Sequence, residues 1–342
     1  MVAVVELSSG PGTTAAYARA ALGLIPGFVR SGDTLPDVEV RQRGVTVDRA
    51  HLAAYDRICG FRLSDTLPAT YPHVLAFPLA MRLMTAPDFP LPLIGLVHVS
   101  NRITVHRPIP AGAALDLSVR ATGLRDHPRG RQFDIGATAT MDGAEVWRGL
   151  STYLRLGPRP APTADTPAEP RPPGNAPAGS PFTSTTPSGS QLTSDTPAGT
   201  RPPAGEDSPD ESRSAAGEDS PDGSRSAATG GTGAGSRWRV PARVGTDYAG
   251  VSGDRNPIHT SWLGARLFGF PRPIAHGMWT MAHALAALEG RLPETCTVDV
   301  TFKKPLLLPA RATFTTAPTT NGWTFTLASR HPHLTGTVTG QP

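Results

Sequence analysis

Cysteine is nearly absent: two residues, Cys59 and Cys296, in a chain of 342. They stand far apart and neither belongs to a CxxC pair, which excludes a zinc ribbon or a thioredoxin-type centre. Long hydrophobic runs are missing too, since nothing approaches the roughly 18 apolar residues of a membrane span. The start, Met1 to Glu6, carries no basic region, and the mildly apolar stretch from Ala15 to Phe28 is broken by Arg19 and Pro26. That pattern argues against a secretory signal. The expectation is a soluble, reducing, cytoplasmic protein without a membrane partner. Aromatics make up 6% of the chain and hydrophobic residues 38%, thin for one compact globule of this length.

Proline and glycine are plentiful, at 37 and 36 residues. Fifteen of the prolines lie between Gly157 and Ser236, where Phe182 and Leu192 are the only apolar side chains besides alanine. Such a segment cannot bury enough surface to offset chain entropy, so 157–236 is predicted to be a disordered linker. Near its end a short polar unit occurs twice, AGEDSPDESRSA at 204–215 and AGEDSPDGSRSA at 216–227. The same segment holds ten acids against five bases, although the whole chain has a formal net charge of +4. The rest is therefore basic. Its Lys and Arg are scattered without clusters or interleaved aromatics, which fits an anionic small molecule and not a nucleic acid.

The linker divides the chain into 1–156 and 237–342, each long enough for one small domain. At an offset of 193, RAHLAAYDRICGF (49–61) lies over ARVGTDYAGVSGD (242–254), matching Tyr55 to Tyr248 and Gly60 to Gly253. ITVHRPI (103–109) likewise resembles VTFKKPL (300–306), each an alternating strand stopped by proline. The two parts read as diverged copies of one α+β domain. In the second copy an apolar helix over 277–288 precedes strands at 297–302, 312–316, 323–329 and 334–338. In the first a helix near 72–84 precedes strands at 96–107, 113–123, 131–140 and 145–155.

The chemistry concentrates in SGDRNPIH, Ser252 to His259, followed by His276-Gly277 at the head of the apolar helix. Gly-Asp-Arg-Asn-Pro alone is a turn in which Asp and Asn cap backbone groups and Pro257 forces Asn256 out of the helical region. A functional reading stands beside that structural one. Asp254 and His259, five apart across a rigid turn, can bring a carboxylate and an imidazole to one site. Gly277 can present a bare N–H at a helix N-terminus to a developing oxyanion.

SGDRNPIH and RPIAHGM (272–278) resemble the signature of the MaoC-like (R)-specific enoyl-CoA hydratases, or 3-hydroxyacyl-thioester dehydratases. The resemblance is strong over about 235–316 and weak in the first copy. It implies a double hot-dog fold, each half a long central helix wrapped by an antiparallel sheet, in a monomeric pseudo-dimer or a homodimer. It implies reversible hydration of trans-2-enoyl thioesters, with Asp254 and His259 activating water and Gly277 N–H holding the thioester oxygen. Asn256 would orient His259 or the water, and Ser252 would support the loop. Coenzyme A or acyl carrier protein would carry the substrate, with no metal or redox cofactor. At offset 193 Asp254 falls on Phe61 and His259 on Thr66, so the first copy should be chemically silent. Its lost polar groups would leave room for an acyl chain against Phe61, Leu67, Leu75, Phe77 and Leu79. One departure from the family pattern is Pro309-Ala310, where Gly-Asp is usual.

Other candidates are weaker. His331 and His333 have metal-ligand spacing but no third ligand, so a solvent-facing pair is expected. His276 could serve as a second base, but as the residue before the helix it is read as a structural cap; His283 is read as a satisfied core histidine, and Met278, Trp279 and Met281 as core. Lys303 and Lys304 either meet the phosphates of coenzyme A or a carrier arm, or decorate a sheet edge. Two alternatives to hydration remain: a thioesterase on the same fold, and a non-catalytic acyl-thioester binding subunit.

Overall fold

A computed structural model describes residues 2–8, 32–93, 95–157 and 235–341. Apart from its two ends, the predicted linker lies outside the described residues. The N-terminal half contributes β1 (Ala3–Leu7), β2 (Val38–Thr46), α1 (Arg49–Cys59), α2 (Tyr71–Met84), β3 (Leu96–Val105), β4 (Ala114–His127), β5 (Gly130–Met141) and β6 (Ala144–Leu156). The C-terminal half contributes β7 (Ser236–Val240), α3 (Val244–Ser252), α4 (Pro257–Thr260), α5 (Trp262–Leu267) and α6 (Gly277–Ala286). It ends with β8 (Cys296–Phe302), β9 (Ala310–Thr319), β10 (Gly322–Ala328) and β11 (Pro332–Gly340).

The strands join in one sheet, ordered β1-β2-β4-β5-β6-β3-β8-β11-β10-β9-β7. Apart from the added parallel edge strand β1, the order within each half is the same: β2-β4-β5-β6-β3 mirrors β7-β9-β10-β11-β8. The halves meet where β3 pairs antiparallel with β8, and at that seam Thr104 faces Thr297. Their hydroxyls are 3.3 Å apart and the residues are separated by 193 in sequence. Two positions equivalent under the repeat therefore face each other, which puts the pseudo-twofold axis between them. Tyr55 and Tyr248, equivalent at the same offset, are both buried, with ring centroids 6.3 Å apart.

The long helices of the two halves, α2 and α6, bury most of their side chains, as their near-continuous apolar sequences require. Tyr71 begins α2 and Pro72 occupies its first turn, where a missing N–H costs nothing. Helix α6 is tied to the other half by polar contacts as well as packing. Trp279 Nε1 donates to the Ile58 carbonyl at 3.0 Å, and His283 Nδ1 lies 2.7 Å from the Cys59 carbonyl. His283 is thus a satisfied core histidine, held between the rings of Trp238 and Trp279. No helix among the described residues is long and apolar enough to cross a membrane.

Candidate active site

The loop after α3 is built by local hydrogen bonding. Gly253 ends the helix at φ 73°, a left-handed conformation that favours glycine, and its N–H returns to the Ala249 carbonyl at 3.1 Å. Ser252 Oγ donates to the Tyr248 carbonyl at 2.8 Å and accepts from the Asp254 N–H at 3.2 Å. Asp254 Oδ1 accepts from the Asn256 N–H at 3.2 Å. Asn256 Oδ1 in turn caps α4 by accepting from Ile258 N–H at 3.3 Å. The Asn256 side chain therefore positions the short helix that carries His259, and makes no hydrogen bond to the imidazole itself.

His259 Nδ1 lies 2.8 Å from the Ile274 carbonyl. A carbonyl only accepts, so Nδ1 carries the proton and Nε2 keeps its lone pair. Burial holds the His259 imidazole below its ordinary value, against the opposing pull of Asp254, so the ring is neutral near pH 7.

His276 is the principal correction. It occupies the N-cap position of α6 but makes no capping bond with its side chain. Its ring turns back into the site, stacking on His259 at 3.7 Å between centroids and 26° between planes. Its Nε2 donates to the Asp254 carbonyl at 3.0 Å, and its buried Nδ1 has no hydrogen-bond partner. Burial drives its pKa down to about 3. The ligand-type atoms of Asp254, His259 and His276 all lie within 4.8 Å of one another. Among the described residues this is the one such grouping, and its spacing suits a proton relay or a divalent cation alike. His331 and His333 form no comparable cluster: His333 bonds Ser329 Oγ and the Lys304 carbonyl at 2.8 and 2.9 Å.

Asp254, His259, His276 and Gly277 line a cavity of about 450 Å³. Gly277 is the first residue of α6, so its N–H is one the helix cannot satisfy internally. The Phe302 ring lies against it, 3.1 Å from where a Cβ would stand. Lys303 and Lys304 line the exposed rim together with Arg129, His127 and His333. Phe77 faces the same cavity, whereas Phe61, Leu67, Leu75 and Leu79 do not. Phe61 instead stacks on Tyr55, and buried Leu67 donates its N–H to the Ile109 carbonyl. The apolar wall comes from residues further along α2, its connection to β3 and the sheet, including Met81, Met84, Leu93 and Leu96. His73, His98 and Tyr153 of the N-terminal half also face the cavity, a contribution that alignment of the two copies does not reveal.

A family model described as MaoC like domain matches residues 242–325. The 3-hydroxyacyl-thioester dehydratase X of Mycobacterium tuberculosis is 34% identical over 332 residues, covering 94% of this chain and 96% of the relative. A peroxisomal enoyl-CoA hydratase 2 of Arabidopsis thaliana is 50% identical over 38 residues, covering 11% of this chain and 12% of that one. Among solved structures, M. tuberculosis HtdX superposes with a TM-score of 0.64 at 31% identity, over 89% of this chain and all of that one. The identity over nearly the whole of both chains, with the shared fold, places the chain in the MaoC-like dehydratase family, as a hydro-lyase on a double hot-dog fold.

Proposed function

We propose that the protein catalyses reversible hydration of trans-2-enoyl thioesters to (R)-3-hydroxyacyl thioesters, with Asp254 and His259 as the acid–base pair. The observation that carries this reading is the placement of a carboxylate and a neutral imidazole beside the N-terminal N–H of α6 in one apolar cavity. A water held between Asp254 and His259 Nε2 gives up a proton to the pair as its oxygen bonds to C3. The C2=C3 electron pair moves toward the thioester oxygen, where Gly277 N–H and the helix dipole stabilise the enolate charge. The pair returns a proton to C2, so that H and OH add across the double bond. Dehydration retraces these steps, and neither direction draws on a metal or redox cofactor. Ser252 and Asn256 keep the loop in register. The rim lysines, Lys303 and Lys304, suit the phosphates of coenzyme A or of a carrier-protein arm.

The test is loss of the enoyl-thioester absorbance across acyl chain lengths for wild type, Asp254→Asn and His259→Ala. Each variant should lose about 10²–10⁴ in rate while keeping the wild-type circular dichroism. Near-normal rates in both would overturn the assignment. Release of free thiol without hydration would instead identify a thioesterase.

A further inference from the structure

The N-terminal wall of the cavity is not uniformly apolar. His98 sits where β3 bulges: His98 pairs with Tyr153 and Ser100 with Thr152, leaving Val99 as the extra residue. Bulges re-aim side chains beside active sites, and here Val97, His98 and Val99 all reach the cavity. The His98 ring stacks on Tyr153 at 4.7 Å and packs against Phe302 at 5.0 Å. Phe302 is the ring that covers Gly277, so His98 stands one ring away from the oxyanion position. His73, from the first turn of α2, stacks over His98 at 6.3 Å with planes 16° apart.

This imidazole is unsatisfied. His98 Nε2 is buried and has no hydrogen-bond partner. Its Nε2 therefore has a hydrogen-bonding capacity that the protein leaves unfilled, and a hydroxyl, which both donates and accepts, fills it in either tautomer. Burial pushes the pKa of His98 to about 3 and that of His73 to about 4, so both rings are neutral at pH 7. Among the described residues the His73 side chain makes that one ring contact, with His98, and no hydrogen bond. Around the two imidazoles the cavity is lined by Val74, Phe77, Met81, Met84 and Leu96. A buried polar atom without a partner is costly, and a ligand hydroxyl would recover that cost. A straight hydrocarbon chain would leave it unpaired.

We propose that His98, flanked by His73 and Tyr153, is a specificity-determining subsite whose Nε2 hydrogen-bonds a hydroxyl group on the acyl chain, beyond the reacting carbons. The preferred substrates are thus hydroxylated enoyl thioesters. This rests on the hydratase reading of the same cavity and adds a substrate class to it.

The probes are trans-2-decenoyl-CoA and its monohydroxylated forms, with the hydroxyl moved from the fifth carbon to the tenth. The readout is the ratio of kcat/KM for each hydroxylated form to that of the plain chain. In wild type at least one position should be favoured by about 10-fold or more. His98→Phe, which keeps the stack, should collapse that ratio to within about twofold, and His98→Gln, which keeps an acceptor, should restore part of it. Absence of any preference in wild type, or its full retention in His98→Phe, overturns the subsite. Should no enoyl thioester be turned over, the hydratase reading fails by itself. The subsite is then judged by calorimetric affinities for decanoyl-CoA and its hydroxylated forms, with the same ratios deciding. If His98→Phe does not fold, the wild-type ratio and His98→Gln decide.

Discussion

Gly245, the second residue of α3, does not line the cavity yet should control its chemistry. A Cβ placed on it would stand 2.0 Å from the His259 carbonyl oxygen and 3.1 Å from its carbon. Ordinary contact begins near 3.4 Å, so in Gly245→Ala the His259 backbone must retreat by about 1.4 Å. The obstacle is backbone, which cannot swing aside as a side-chain tip would. Helix α4 is four residues long, so it should shift as a unit and carry the imidazole with it. A misplacement of about 1 Å costs on the order of 10²-fold in rate, and overpacking costs roughly 1–3 kcal/mol of stability. Gly250 in the same helix is the control, because nothing lies within 4 Å of its Cβ position. Gly250→Ala should keep wild-type turnover and match or exceed its Tm, since alanine favours helix by about 1 kcal/mol. The assay is steady-state hydration of an enoyl-CoA beside a thermal melt for each variant. Gly245→Ala within threefold of wild-type kcat/KM, with an unchanged Tm, would refute the argument.

Two further outcomes follow from the buried imidazoles. His276→Phe preserves an aromatic face on His259 but removes the bond to the Asp254 carbonyl. It should lower kcat by about 10–100-fold with little change in KM, and a loss below threefold in steady-state kinetics would contradict that role. Stability should also fall with acidity. His73, His98 and His276 have folded pKa values of about 4, 3 and 3, below the ordinary 6.5. Their contribution is complete above pH 6.5 and is lost as pH falls toward those values, at about 1.4 kcal/mol per unit for each group. Asp56 opposes them: burial, and to a lesser extent Glu289, raises its pKa to about 6, so its penalty is relieved as pH falls through that value. Between pH 6 and 5 the net loss is about 3 kcal/mol, or roughly 5–10 °C in Tm. Equal melting temperatures by calorimetry at pH 7 and pH 5 would refute it.

Much of the chain is legible without coordinates, for local reasons. Strands β3 to β6 and β8 to β11 alternate or carry β-branched residues, and the structure places them within a few residues of their predicted bounds. The helices α1, α3 and α5 and the strands β1, β2 and β7 escape a reading of the sequence, because their apolar patterns are weak and the strands' pairing partners lie far away along the chain. The repeat offset is recoverable because Tyr55 and Tyr248 survive in both copies, and the facing pair Thr104 and Thr297 gives it a geometric meaning.

The Asp254–His259 loop belongs to the sequence alone. Its turn is made by Gly253, Asp254, Asn256 and Pro257 bonding to their own neighbours, so residue identity and spacing suffice to place both groups. What surrounds that loop belongs to the tertiary structure. His276 reads as a helix cap in one dimension, and only the packing of α6 against α3 and α4 turns its ring onto His259. Alignment of the two copies points to Phe61 and Leu67 for the acyl wall because it compares equivalent positions. The cavity is built across the pseudo-twofold axis, where non-equivalent residues meet: His73 of α2, His98 of β3 and Tyr153 of β6 line one cavity with Asp254. Residues that share a wall only because two halves fold onto one another leave no mark in either half's sequence.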